Sequence, residues 1–258
     1  MPLLQINHLG HTFGGLKAVN DFNLTLEEGE LIGLIGPNGA GKTTIFNLVT
    51  GVYRATEGEI IFNGENIVGY PPHKINTMGI SRTFQTIRLW DGMTVLDNMR
   101  VAHHSQVRYG LFDSLFHTPA YHRQEEEITE HSMELLRLFN FDRFADMPAG
   151  GLPYGERRRL EIVRAMAARP KLLLLDEPAA GMNPGEVDSL MEFIAWIRDE
   201  FKLTIWLIEH QMRLVMGICE RLKVIDFGST IAEGKPEEVR NNPRVLEAYL
   251  GEAAKELG

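Results

Sequence analysis

Short, wholly apolar runs alternate along this chain with longer stretches in which apolar positions recur every three or four residues. Leu31 to Ile35, bounded by Glu30 and Gly36, predicts a buried strand. A Gly-rich turn follows, and Lys42 to Val49 predicts a helix that ends at Gly51. Gly58 to Gly64 predicts a strand with turns at both ends, Pro71-Pro72 opens a short helix that stops near Gly79, and Ser81 to Gln85 predicts another strand. From Thr94 the pattern turns helical. Tyr109 to Tyr121, with Gly, Pro, Asp and several aromatics, predicts a partly ordered insertion. Ile128, Leu135, Leu136 and Phe139 share one helical face, and Arg143 to Pro153 predicts a connection. Leu160, Val163 and Ala167 mark a helix that stops before Pro170. Leu172 to Leu175 predicts an apolar strand, and Val187, Leu190, Met191, Ile194 and Ile197 an amphipathic helix. Thr204 to Ile208 predicts a β-branched strand. Val224 to Asp226 and Thr230 to Ala232 predict short strands, and Val245 to Leu250 a terminal helix.

Strands thus alternate with helices at both ends of the chain, which predicts an α/β fold with a mostly parallel sheet and helices on its faces. Roughly residues 87 to 155 are mainly helical and read as a subdomain inserted into that core. No internal repeat or low-complexity segment interrupts the pattern.

A net charge of -9 argues against broad nucleic-acid binding, which needs an excess of Lys and Arg. The single cysteine, Cys219, cannot form an internal disulfide, so a reducing compartment is expected. The opening Met1-Pro2-Leu3-Leu4-Gln5 lacks the charged and apolar regions of a signal peptide, and no apolar run is long enough to span a bilayer. Any service to a membrane is therefore expected to pass through a partner.

The chemistry concentrates at two places. Gly36-Pro37-Asn38-Gly39-Ala40-Gly41-Lys42-Thr43, followed by Thr44, fits the P-loop pattern G-x-x-x-x-G-K-S/T between a predicted strand and a predicted helix. Glycines let backbone N–H groups converge on phosphate oxygens, and the helix N-terminus adds its positive dipole end. Lys42 is expected to reach the β- and γ-phosphates, and the Thr43 hydroxyl to ligate Mg²⁺. The second place is the end of Leu172-Leu173-Leu174-Leu175-Asp176-Glu177, where an apolar strand delivers two acids to the carboxyl edge of the sheet. Asp176 is expected to hold Mg²⁺ through water, and Glu177 to orient the attacking water.

With these motifs the chain resembles the ABC-transporter ATPases over nearly its whole length. The resemblance implies a P-loop (RecA-like) core with an N-terminal antiparallel β subdomain and an inserted α-helical subdomain. Residues 1–86 would form the first part of the core, 87–168 the helical subdomain ending in the signature helix, and 169–258 the rest of the core. Gln85, in Thr83-Phe84-Gln85, sits at the family's Q-loop glutamine, which contacts Mg²⁺ or water at the hinge to the helical subdomain. His210 matches the switch histidine that contacts the γ-phosphate. Phe13 resembles the aromatic that stacks on adenine, a core role being the alternative reading. Leu152-Pro153-Tyr154-Gly155-Glu156 resembles the signature, Leu-Ser-Gly-Gly-Gln in its common form, whose helix N-terminus caps the γ-phosphate held by the opposite subunit. Here Pro153 brings no hydroxyl, the amides of Tyr154 and Gly155 remain available to an anion, and Glu156 is tolerable only if it points away. Gly181-Met182-Asn183-Pro184 occupies the D-loop, which helps to join two subunits, and also reads as a helix-starting turn.

Within the family the chain is most similar to the longer ATPase subunit of branched-chain amino-acid importers. Gly79 to Gln85, Arg157 to Ile162, Asp176 to Pro184, Ile208-Glu209-His210 and Asn242 to Gly251 carry that likeness. It implies hydrolysis of ATP with Mg²⁺, transmembrane permease subunits as partners, and a second ATPase subunit in a homo- or heterodimer. It also implies a cytoplasmic, peripheral place on the inner face of the plasma membrane, with membrane contact only through the permease and no nucleic acid. Rival readings are the ATPase of another ABC system such as a lipid exporter, a soluble ABC ATPase of DNA repair or translation, and a regulatory subunit with little turnover. His103, His104, His117 and His122 are read as solvated loop residues rather than metal ligands, and Arg157-Arg158-Arg159 as mixed pairing and solvation.

Overall fold

The computed structural model describes residues 1–103 and 110–256, with residues 250–256 described by backbone alone. The chain forms two compact units, Met1–Gln85 with Lys171–Gly258, and Thr86–Pro170.

The first unit holds two sheets. Strands β1 (Leu4–Phe13), β2 (Leu16–Leu26), β4 (Glu57–Phe62) and β5 (Glu65–Asn66) make an antiparallel sheet in the order β2-β1-β4-β5. The other sheet joins β3 (Leu31–Ile35), β6 (Ile80–Arg82), β7 (Leu172–Asp176), β8 (Thr204–Ile208), β9 (Arg221–Asp226) and β10 (Ser229–Gly234) in the order β10-β9-β3-β8-β7-β6. All its pairings are parallel except the β9–β10 hairpin. Strands β3, β7 and β8 are buried along their whole length, which is why they read as apolar runs, interrupted only by Asp176 at the end of β7 and Thr204 at the start of β8.

Helices α1 (Lys42–Val49), α2 (Pro72–Met78), α7 (Pro184–Phe201), α8 (Met212–Ile218), α9 (Pro236–Arg240) and α10 (Pro243–Glu256) complete this unit. Helix α7 starts with a capping box: the Asn183 side chain accepts from the Glu186 amide and the Glu186 carboxylate accepts from the Asn183 amide. Asn183 therefore takes the helix-starting role that its place before Pro184 predicts. The core links the two sheets. Leu4, Ile6, Phe22, Ile60 and Phe62 of the antiparallel sheet cluster with Ile32, Leu34, Leu174 and Trp206 of the other and with Ile45, Phe46 and Val49 of α1. The Trp206 indole lies 5.0 Å from the Phe46 ring and 6.3 Å from Phe22. Burying side chains of this size contributes about 2–3 kcal/mol each, which anchors the P-loop helix on the sheet.

The second unit is helical: α3 (Val95–Ala102), α4 (Leu111–Phe116), α5 (Pro119–Leu138) and α6 (Tyr154–Met166). Three expectations change here and at its border. The described part of the Tyr109–Tyr121 stretch is mostly helical, because Thr118 caps α5 and Pro119 takes the first helical position, where its missing N–H is harmless. Strand β6 ends at Arg82, so Gln85 stands in a loop rather than a strand. His103 is 1% exposed, not solvated; its ring lies 4.9 Å from that of His131. His117 and His122 are exposed, while His104 and Tyr109 lie outside the described residues. No described helix is long and apolar enough to cross a membrane.

Candidate functional site

Strand β3 runs into Gly36 and the loop ends at Gly41, the residue before α1. Both glycines are required by space as well as conformation. At Gly36 (φ 152°) a Cβ would stand 2.1 Å from the Ile225 carbonyl oxygen, and at Gly41 (φ 104°) 2.6 Å from that of Ala18. The loop is thus pressed between its neighbours on one side, while Asn38 and Gly39 are exposed on the other. Lys42 is buried and its ammonium folds back over the loop, donating to the carbonyls of Gly36 (2.7 Å) and Pro37 (2.9 Å). Thr43 is exposed beside it and Thr44 half-buried. A ring of main-chain groups at a helix N-terminus, with an ammonium poised over it, suits a polyphosphate anion.

The ends of β7 and β8 carry the second group of candidates. Glu177 follows β7 in the left-handed region (φ 48°), an uncommon conformation for a non-glycine residue. Its carboxylate accepts from the Gln85 side-chain amide at 2.6 Å and lies 3.5 Å from the His210 Nδ1. Gln85, Glu177 and His210, taken from three separate stretches, therefore meet at one point. Asp176 beside them pairs with a residue that no sequence motif singles out: Arg82 donates to its Oδ2 at 2.6 Å. Arg82 also donates to the Asn47 side chain at 2.7 Å, at the far end of the P-loop helix. Glu209 is a second unforeseen residue, fully buried, whose carboxylate accepts from the amides of Ala179, His210 and Gln211. An acid directly after the apolar run Ile205 to Ile208 was the available signal for it.

Phe13, at the end of β1, is 43% exposed, so it is not core. Its ring packs edge-on against Tyr53 (5.2 Å) and His11 (4.4 Å), which hold it upright. Tyr154 and Gly155 belong to the second unit, where they open α6 behind Pro153, the N-cap. The Glu156 carboxylate is engaged by Arg159 at 3.3 Å. Arg158 is buried with Glu161, and Arg157 pairs with Asp91. Helix α6 is further tied to the segment that follows Gln85. Glu161 accepts from the Arg88 amide at 3.0 Å, and Arg164 donates to the Arg88 carbonyl at 2.6 Å. Burial raises the Glu161 carboxyl above its ordinary range and lowers the Arg164 guanidinium.

A glycine-rich loop between a buried strand and a helix, in a mostly parallel sheet whose next strand but one, β7, delivers two acids at the same edge, defines a P-loop fold. The ABC transporter family matches residues 19–180, and the branched-chain amino acid ATP-binding cassette transporter family matches residues 229–255. The chain belongs to the ABC transporter family and is an ATPase of that type. It is 49% identical to the high-affinity branched-chain amino acid transport ATP-binding protein BraF of Pseudomonas aeruginosa over 98% of this chain and 99% of that protein. The corresponding protein LivG of Escherichia coli is 48% identical over the same shares. A crystal structure of an ATP-binding cassette of an ABC transporter in its ADP conformation superimposes with a TM-score of 0.85 at 31% identity, covering 97% of this chain and 99% of that one.

Proposed function

We propose that this chain binds ATP with Mg²⁺ on the Gly36–Thr44 loop and hydrolyses it to energise the import of branched-chain amino acids through a membrane permease. The observation that carries the hydrolytic part is the meeting of Gln85, Glu177 and His210 at the carboxyl edge of the sheet that also presents the P-loop. The relatives, whose names state branched-chain amino acid transport, support the substrate class.

In this reading the loop amides from Asn38 to Lys42 and the Lys42 ammonium hold the phosphate tail, Pro37 shapes the loop without donating, and Phe13 stacks on the base. Thr43, Asp176 and Gln85 are the residues that would hold Mg²⁺, which when bound neutralises phosphate charge. The pressed glycine cradle fits the phosphates. Asp176 fits an outer place around the metal, because Arg82 already takes one of its oxygens. Glu177 orients and polarises the attacking water, and His210 contacts the γ-phosphate. The amides of Tyr154 and Gly155 cap the phosphate held by a second ATPase subunit, with Pro153 preset for the helix start. The chain acts at the inner face of the membrane and touches it only through the permease.

The test is purification from native membranes followed by reconstitution. Co-purification with a permease and ATP-dependent uptake of leucine into proteoliposomes are expected. Recovery with ribosomes or DNA, or uptake indifferent to ATP, would sink the reading.

A further inference from the structure

We infer that Glu209 is a positioning residue: its carboxylate yokes the loop after Glu177 to the loop that carries His210, and so sets the distance between the two. The inference rests on the reading of Glu177 and His210 as the hydrolytic pair.

Glu209 is 0% exposed, and among the described residues no cation pairs with it. A buried carboxylate without a counter-charge is expensive unless hydrogen bonds replace its water. Here one oxygen faces each loop. Oε1 accepts from the Ala179 amide at 2.9 Å, two residues beyond Glu177. Oε2 accepts from the amides of His210 (2.8 Å) and Gln211 (2.9 Å). Two further bonds run beside this bridge: the Glu177 amide donates to the Ile208 carbonyl, and the Gln211 side chain donates to the Ala179 carbonyl, both at 2.9 Å. The imidazole itself stands only 3.5 Å from Glu177 and is half exposed, so its place depends on the backbone that carries it. An apolar residue would be cheaper at a buried strand end. What a carboxylate adds is two acceptor faces on one planar group, and these span the gap between the loops. A glutamine of the same volume offers one acceptor, and its NH₂ would oppose an N–H on the other side.

The full-length protein tests this without a ligand other than MgATP. In the wild type, hydrogen exchange at the Ala179, His210 and Gln211 amides is expected to be slow. In Glu209→Gln it is expected to quicken at one loop or both, while ATP affinity stays within about twofold and the turnover number falls about tenfold. Because Glu209 acts through His210, adding Glu209→Gln to His210→Ala is expected to bring no further loss. Three results would overturn the role: amides that exchange at loop rates in the wild type, turnover unchanged in Glu209→Gln, or losses that multiply in the double variant. The wild-type exchange measurement stands even if the variant folds poorly. Glu177→Gln serves as the control: full turnover there would mean that the hydrolytic pair, not the yoke, was misassigned.

Discussion

Arg82 and Asp176 form an ion pair of 2.6 Å with side chains only 5% and 4% exposed. The guanidinium also reaches Asn47 and Thr50 at the end of the P-loop helix, and lies over the rings of Phe46 and Phe84. One side chain thus fastens three separate pieces of the first unit: α1, the segment leading to Gln85, and the strand end that carries Asp176 and Glu177.

Removing one partner of a buried pair strands the other charge. Arg82→Met is therefore expected to lower unfolding free energy by about 3–5 kcal/mol in urea titration. Arg82→Lys keeps the charge but not the fork, and is expected to fall between the two. A loss under about 1 kcal/mol for the methionine variant would show that the pair is worth little beyond its geometry.

The loop glycines separate space from conformation. Gly36→Ala places a Cβ against the Ile225 carbonyl, whereas a Cβ at Gly39 (φ 77°) meets nothing within 4 Å. Gly39→Ala is expected to lose only the about 1–2 kcal/mol of a left-handed alanine. Gly36→Ala is expected to abolish ATP binding by calorimetry, since backbone must move. Equal effects of the two substitutions would contradict the steric argument.

Glu177→Gln keeps the volume and removes the base. ATP affinity is expected to persist within about twofold while turnover falls by about two orders of magnitude or more, and a nucleotide-bound dimer should accumulate in gel filtration with ATP. Undiminished turnover would remove Glu177 from the chemistry.

Pro153 caps α6 without a side-chain hydrogen bond. Serine there could accept from a first-turn amide, a contribution of about 1 kcal/mol. Pro153→Ser is thus expected to leave the assembled transporter's ATPase rate undiminished. A large loss would reveal a positive role for the proline ring.

Cys219 is buried, and burial first, then the nearby Glu209 and Glu220 charges, push its thiol well above the ordinary range. Its ionisation belongs to the unfolded chain, which releases the proton first as pH rises. The contribution is thus fully present below the unfolded pKa of about 8.5 and lost above it, by about 1.4 kcal/mol per pH unit. Relative to Cys219→Ala, the wild type should lose about 1.4 kcal/mol in urea unfolding between pH 7.5 and 9.5. A constant difference across that window would refute the burial argument.

The elements most legible in the sequence are those whose pattern is local. Leu31–Ile35 is apolar throughout and Thr204–Ile208 apolar after its first residue because both sheet faces are covered, and their bounds could be read directly. The P-loop was legible because Gly36 and Gly41 are needed by space and Gly39 by its left-handed backbone. The hairpin β1–β2 left no residue-level signal: its register shifts between Ile6 and Leu9, and again near His11, which breaks the period-two alternation. Helix α8 is only Met212–Ile218 and has no cap signal. The start of α5 was readable from Thr118-Pro119 but was masked by the surrounding Gly and aromatics. The Arg82–Asp176 pair joins residues far apart in sequence, and nothing in a single chain of letters matches such partners.

Glu177 sits in a backbone conformation that glycine or asparagine would occupy with less strain. A selection for thermal robustness alone would therefore favour replacing it, and would harvest sturdier proteins with no engine. Survival of an acid at that angle marks where this fold gives up durability for work.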